Sequence, residues 1–146
     1  PDYYLIDGQL ARVALHRGQL DRAAEGMTAV LAFQESQGMQ VHAERAVTLY
    51  ELGRIRFLQE RTLEAVPLFT EAIDIVQRTL GNDHRNRLSP VRELQRALVR
   101  LGAEPWEGEG APAWEALLEQ AVAVLEGGGH ADEARALVDA VLGAGE

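Results

Sequence analysis

The 146 residues suffice for one domain, or for one domain with an appendage, and 47% of them are apolar, which is ample for a core. The absence of cysteine excludes disulfides and thiolate metal sites, and no apolar run is long enough to span a membrane. The net charge of −9 argues against general nucleic-acid binding, because it leaves no net basic surface for phosphates.

The charge is unevenly distributed along the chain. Residues 1–102 hold 13 arginines and 13 acidic residues, whereas residues 103–146 hold ten acidic residues and a single arginine, Arg135. This shift predicts a boundary near Gly102 between a neutral segment and an acidic one. Because the chain starts at Pro1 without methionine, we expect it to be a piece of a longer chain. It shows no signal peptide, so we expect a cytoplasmic protein.

The first predicted hairpin pairs a helix at about 2–17 with a helix at about 20–37. Gly18 and Gln19 form the turn between them, and Gly38 is placed to cap the second helix. This hairpin is a weaker copy of the next one, and a fixed internal period is typical of stacked helical repeats. The matching residues of the first hairpin are Leu10, Ala11, Ala23, Met27, Val30 and Leu31. They recur 42 positions later as Leu52, Gly53, Ala65, Phe69, Ala72 and Ile73.

The second predicted hairpin, residues 46–81, has the clearest pattern. Its helices carry apolar residues every three or four positions, and the polar segment 59–62 is short enough for an antiparallel turn. Gly53 lies in mid-helix, where glycine costs about 1 kcal/mol relative to alanine, so we expect a close helix crossing there. The predicted core residues are Leu49, Leu52, Ile55, Leu58, Ala65, Leu68, Phe69, Ala72, Ile73 and Val76.

The third predicted hairpin is incomplete. Leu94 and Leu98 continue the 42-residue phase in a helix over 89–101, with Ser89 as its N-cap and Pro90 at its first position. Residues 103–112 follow as an acidic linker rich in glycine and proline. We expect its Trp106 to pack against the end of the preceding helix.

Two more helices are predicted over 113–126 and 131–142, joined by three glycines. Their apolar spacing fits the repeat loosely, but the 42-residue phase is lost. The segment 113–146 is therefore a degenerate terminal repeat or a separate hairpin on a flexible tether. We favour the terminal repeat, since the ends of such arrays need a polar cap. The apolar positions are Trp114, Leu117, Leu118, Ala121, Leu125, Ala134, Val138 and Val141.

The second hairpin resembles a tetratricopeptide repeat. Leu49 and Arg56 depart from that family, which has a large aromatic residue and a tyrosine at these positions. The 42-residue unit and the ending at 80–84 are similar to kinesin light chains and their bacterial relatives. The resemblance implies an all-α, antiparallel helical-hairpin solenoid that forms part of a right-handed superhelix. The residues that carry it are Leu52, Gly53, Ala65, Phe69 and Ala72.

No catalytic or cofactor-binding pattern is found. The histidines lack metal-ligand spacing, and no Walker or dinucleotide-binding motif occurs. Glu107 and Glu109 suggest a carboxylate pair, but a solvated linker explains them better, and Ser36 and Ser89 have no recognisable base partner. We therefore expect no enzyme, no cofactor and no metal. The histidines are His16, His42, His84 and His130.

Arginine recurs at the 42-residue period. In tetratricopeptide proteins the first helices line a concave groove that binds peptides, and the resemblance implies that these arginines point into it. Guanidinium groups there would bind the carboxylates or phosphates of an acidic peptide. Bridging between helices and chance are the alternatives. The predicted site comprises Arg12, Arg54 and Arg96, flanked by Arg92 and Arg100, with Tyr50, Phe57 and Leu15 beside them.

The leading interpretation is a protein–protein interaction scaffold within a larger bacterial regulatory protein, without nucleic-acid or membrane partners. One alternative is a self-association module, in which the arginines meet the acidic hairpin of a second copy. Another is a sensor of a small signalling ligand. A further hypothesis has residues 103–126 fold back over the groove and compete with an acidic partner, since tethering raises the effective concentration.

Overall fold

The computed structural model describes residues 18–81, 85–108 and 110–143, and every regular element in these ranges is helical. The predicted helix at 2–17 lies outside the described residues. The elements are α1 (Leu20–Ser36), α2 (Ala43–Leu58), α3 (Thr62–Leu80), a 3-10 turn (Arg85–Arg87), α4 (Leu88–Arg100), α5 (Trp114–Gly127) and α6 (Ala131–Gly143). Each of the helices from α1 to α4 packs against the next, α5 packs against α6 and α6 packs against α3, which confirms the predicted all-α stack of helical hairpins.

Helix α1 ends in a glycine cap, as predicted. Gly38 has a φ of 73°, and its N–H donates to the carbonyl of Glu35 at 3.1 Å. The N–H of Met39 donates to the carbonyl of Gln34 at 3.0 Å. These two bonds satisfy carbonyls that a helix end leaves free, and the left-handed φ favours glycine.

Helices α2 and α3 cross closely at Gly53. A Cβ atom at this position would lie 2.6 Å from the ring of Phe69, which is closer than such atoms pack. Phe69 is fully buried, and the ring of Tyr50 lies 6.2 Å from it between centroids. The predicted close crossing is therefore confirmed, and burial of the Phe69 ring offsets the helical cost of glycine.

A single apolar core joins the second hairpin to the C-terminal one. Leu94 of α4, Leu125 of α5 and Leu137 of α6 belong to the same buried cluster as Phe69. Helix α6 packs along α3, where Arg78 donates from Nη2 to the carbonyl of Val141 at 3.5 Å. The hairpin α5–α6 is thus attached to the helical stack rather than held away from it. No described residue of 103–126 lines the space between the first turns of α2 and α4, so the hypothesis that this segment covers the predicted groove is wrong.

The segment between α4 and α5 is irregular but held at both ends. Buried Arg87 donates from Nη2 to the carbonyl of Pro112 at 2.7 Å, and from Nε to Gln77 Oε1 at 3.0 Å. At the other end, Gln120 Nε2 donates to the carbonyl of Glu104 at 3.4 Å. These bonds hold the acidic segment against the helices that flank it. No helix in the described ranges combines the length and apolar character that crossing a bilayer requires.

Two predictions at helix ends are wrong. Leu58 is 51% exposed, because α2 ends at this residue and its apolar stripe closes with buried Phe57 instead. Helix α4 begins at Leu88 rather than after Ser89, since a 3-10 turn leads directly into it, and no side chain caps its first turn. The remaining predicted core residues of α2 and α3 are buried, apart from half-buried Leu68.

The expected packing of Trp106 on the end of α4 is also wrong. Its side chain is 46% exposed, and the indole Nε1 donates to the carbonyl of Gly110 at 3.0 Å. The ring lies over Gly108, where a Cβ atom would be 2.5 Å away. Trp106 therefore folds onto its own loop, where its indole N–H bonds to Gly110 and its ring packs over Gly108.

Arg45 joins three helices through a charged cluster. It is buried, and it donates to Glu35 of α1 at 3.0 Å, to Glu71 of α3 at 2.7 Å and to the carbonyl of Gln40 at 3.2 Å. Burial acts to lower the pKa of Arg45, but hydrogen bonds and charge interactions with Glu71 and Glu35 outweigh it, so that the pKa is raised. The guanidinium fork suits this multiple contact.

We expect Arg45→Met to lower the free energy of unfolding by about 1–2 kcal/mol, because three hydrogen bonds are lost while the two carboxylates return to water. Because the pKa of Arg45 is raised in the folded chain, its contribution to the free energy of unfolding is fully present below the unfolded-state pKa. That contribution is lost only as the pH rises through the folded-state pKa. The loss should therefore be constant between about pH 6 and pH 9. Urea denaturation at several pH values measures it.

The matched control is Arg61→Met. Arg61 precedes α3 and pairs with Glu64 of its first turn, and both side chains are about half exposed. Exposed pairs contribute about 0–1 kcal/mol, so the control should lose much less than Arg45→Met. Equal losses in the two variants would show that Arg45 has no special role in joining the helices.

Candidate partner-binding groove

A groove runs between the first turns of α2 and α4, with α3 as its floor. It encloses a volume of about 640 Å³. At the other end of the two helices, Arg100 of α4 closes the gap by donating to the carbonyl of Phe57 of α2 at 3.1 Å. The groove is lined by Ala43, Glu44, Ala46, Val47, Tyr50 and Glu51 of α2, by Ala72, Val76 and Leu80 of α3, and by Asn86, Leu88, Ser89, Pro90 and Arg92.

Three large apolar side chains stand exposed around this groove. Val47, Leu80 and Leu88 are between 40% and 48% exposed, and they come from three different elements. Clustered apolar side chains at a surface are typical of interaction sites, whereas single ones are ordinary. Sequence reasoning did not identify them, although Leu80 and Leu88 flank the polar loop and Val47 lies three residues before Tyr50.

Two of the predicted arginines lie near Tyr50. The guanidinium carbon of Arg54 is 5.8 Å from the centre of the Tyr50 ring, which is within cation–π range. Exposed Arg92 lines the groove wall opposite, on α4, and Tyr50 lines the wall on α2. Because Tyr50 also packs against Phe69, the core holds its ring in place. Tyr50 and Arg92 thus line one groove, and Arg54 lies beside the Tyr50 ring.

The other predicted site residues are placed differently. Arg96 is exposed and pairs with Glu93 one turn away, at 3.3 Å. Arg100 lies 3.7 Å above the ring of Phe57, which is buried beneath it, so this pair connects α4 to α2. Arg100 therefore joins two helices through a carbonyl and a ring, not through the Asp or Glu side chain that the bridging alternative expected. Arg12 and Leu15 lie outside the described residues.

The charges of the groove differ between its two walls. Glu44 and Glu51 lie on the α2 wall, whereas Arg92 lies on the α4 wall.

His42 caps α2 by accepting the N–H of Glu44 at Nδ1 over 3.0 Å, which gives one histidine a structural role. In the part of the chain that the structure describes, no three His, Asp or Glu side chains converge as a metal site would require.

Comparison with known proteins identifies the repeat. The tetratricopeptide repeat family model matches residues 4–78. BtubC (BKLC) from P. vanneervenii is 21% identical with a TM-score of 0.58, over 94% of this chain and 61% of that one. This likeness shows the fold, and the chain spans less than two thirds of the length of BtubC. No curated protein matches the chain.

Two structures of nearly identical TPR-like repeats, from a kinesin-light-chain-like protein of Podosopora anserina, are also similar. Each is 25% identical over 98% of this chain, with TM-scores of 0.61 and 0.58, and the chain covers 74% and 75% of them. The expected likeness to kinesin-light-chain-type repeats is confirmed. Since the family model matches about half of its residues and the helices stack as the model implies, this chain belongs to the tetratricopeptide repeat family.

Proposed function

We propose that this chain is a protein–protein interaction module that binds an acidic, extended segment of its partner in the groove between α2 and α4. Tetratricopeptide repeats generally mediate protein–protein interaction and are typically scaffolds rather than enzymes. The observation that carries the proposal is the exposure of Val47, Leu80 and Leu88 around one groove with Arg92 on its wall. Such a surface combines apolar contact with a cation that can select charge.

The two kinds of contact have separate roles. An apolar side chain of the partner would enter between Val47, Leu80 and Leu88, where each Å² removed from water contributes about 25 cal/mol. The carboxylates beside it would meet the guanidinium groups of Arg54 and Arg92, which form paired hydrogen bonds with such groups. Because Tyr50 is packed from behind by Phe69, this wall needs little reorganisation on binding.

The carboxylates of the groove fix the direction of the partner. Glu44 and Glu51 on the α2 wall would repel a uniformly acidic segment, so its acidic residues should face Arg92 on the α4 wall. A segment with carboxylates on one side of an apolar anchor fits this arrangement better than a run of glutamates. The bacterial, cytoplasmic and regulatory setting of the module stays a prediction.

We expect a decapeptide with one central leucine and glutamates on one side of it to bind, and its counterpart with glutamine for glutamate to bind at least about tenfold more weakly. Arg92→Glu should weaken binding of the acidic peptide by a similar factor, because it places a like charge at the contact. Calorimetric titration of the full chain with each peptide gives the affinities.

The control for Arg92→Glu is Arg135→Glu on α6, which changes the net charge equally but lies on the exposed face of the C-terminal hairpin. It should leave the affinity unchanged, apart from a small effect that salt screens. If both variants bind the acidic peptide as the wild type does, or if the glutamine peptide binds equally well, the groove does not select acidic partners.

A further inference from the structure

The loop that follows α4 carries an exposed tryptophan among acidic residues. Trp106 lies between exposed Glu104 and Glu107. Its indole N–H is already bonded to the carbonyl of Gly110, so the group that is costly to bury is satisfied within the loop. What the loop presents to solvent is therefore an apolar ring with carboxylates on either side.

This presentation is preformed. The Trp106 ring rests on Gly108, and bonds from Gln120 to the carbonyl of Glu104 and from Arg87 to that of Pro112 hold the two ends of the loop. A side chain already held in one conformation loses less entropy on binding than a free one. Tryptophan is also among the residues that most often dominate the energy of an interface.

The loop and the groove are complementary but separate within one chain. Residues 103–146 carry the whole net charge of −9. The groove offers Arg92 on its α4 wall and, beside Tyr50, Arg54, whereas Glu44 and Glu51 line its α2 wall, so the complementary charge lies on the α4 side. Within the described ranges, no residue beyond Arg92 lines the groove. The anchors of the loop hold Trp106 to its own glycines, so the complementary surface it can meet belongs to a second copy.

We propose that Trp106 of one copy inserts into the groove between α2 and α4 of a second copy, with Glu104 and Glu107 facing Arg54 and Arg92. This inference rests on the proposed function of the groove and names its occupant. Because the contact joins two different surfaces, the copies associate head to tail. They form an open chain of copies, unless the rotation between neighbouring copies closes them into a ring. A partner peptide that takes the groove then releases the copies from one another.

The first test is the mass of the full chain by light scattering after size exclusion, over a tenfold range of concentration. The mass should rise with concentration, and high salt should reduce the rise, because the contact pairs exposed charges. Trp106→Ala should weaken association by at least about tenfold. Val99→Ala, which removes an exposed apolar side chain of α4 outside both surfaces, should leave it unchanged.

The second test mixes two variants that each lack one surface. Trp106→Ala keeps the groove, and Arg92→Glu keeps the loop, so each should be monomeric alone while an equimolar mixture forms a heterodimer that cannot grow. Circular dichroism of each variant checks that it is folded. A wild type that stays monomeric throughout, a Trp106→Ala variant that still associates, or a mixture that forms no dimer overturns the proposal.

A synthetic peptide of residues 103–112 separates this inference from the proposed function. Binding of this peptide, lost in Arg92→Glu, supports both. If the leucine and glutamate decapeptide binds but the 103–112 peptide does not, the groove accepts acidic partners and the self-contact is wrong. If neither peptide binds, the proposed function fails together with this inference.

Discussion

Replacing Phe69 by alanine should lower the free energy of unfolding by about 3–5 kcal/mol. Phe69 is fully buried at the crossing of α2 and α3, and it belongs to the cluster that reaches Leu94 of α4 and Leu125 of α5. The glycine at position 53 has no side chain to move into the space left by the ring. The cavity should therefore persist, and urea denaturation monitored by circular dichroism measures its cost.

Phe33→Ala is the matched control. Phe33 lies on α1, is half-buried, and does not belong to the buried clusters that the structure describes. The same truncation there removes less buried surface, because Phe33 is already partly exposed, so we expect clearly less than half of the loss. A loss at Phe69 no greater than at Phe33 would mean that the crossing of α2 and α3 is not the centre of the core.

The second large effect is expected for Gly53→Ala. Alanine favours a helix over glycine by about 1 kcal/mol, but the added Cβ would lie 2.6 Å from the Phe69 ring. Because buried Phe69 cannot move away without displacing the helices around it, the overpacking should outweigh the helix preference. We expect a net loss of about 1–3 kcal/mol in the free energy of unfolding.

Two comparisons isolate the cause of this loss. Gly127 ends α5 with no atom within 4 Å of an added Cβ, so Gly127→Ala should be neutral or slightly stabilising. In the double variant Gly53→Ala with Phe69→Leu, the smaller side chain makes room, and the combined loss should be less than the sum of the single losses. Additive losses would show that the two positions do not collide.

The helical hairpins could be predicted from the sequence because their signals are local. Apolar spacing and Gly38 place the end of α1 within one residue, and Gly53 indicates the close crossing before any partner is known. The 42-residue period predicts that Ala23 and Met27 are buried, like Ala65 and Phe69, and the structure confirms this. The apolar spacing and the glycine signals each lie within one helix or one turn, and the period repeats them along the chain, which is why sequence reasoning succeeds there.

Contacts between distant segments could not be predicted in the same way. Arg45 reaches carboxylates on α1 and α3, and nothing in its neighbours indicates that it is buried. Arg87 and Pro112 meet across 25 residues, although the composition of 103–112 suggested a loose linker. Burial of a charged residue depends on partners from other helices, so periodicity within one helix does not reveal it.

The candidate groove contains features that the sequence predicts and features that it does not. The 42-residue period places Arg54 and Arg96 on first helices of the repeat, and helical spacing from Arg96 adds Arg92. In the structure Arg54 lies beside the Tyr50 ring, and Arg92 lines the same groove as Tyr50. Helical spacing does not distinguish Arg92, which faces the groove, from Arg100, which covers Phe57. That difference arises because α2 and α4 meet at their last turns and separate at their first, which is a property of packing between repeats.

The most direct test of the central claim is to locate the bound peptide on the chain. Amide NMR spectra recorded during titration with the leucine and glutamate decapeptide report which residues change environment. Our account predicts the largest shifts at the first turns of α2 and α4, around Val47, Tyr50 and Arg92. Shifts confined to α5 and α6, or no shifts at saturating peptide, would contradict it.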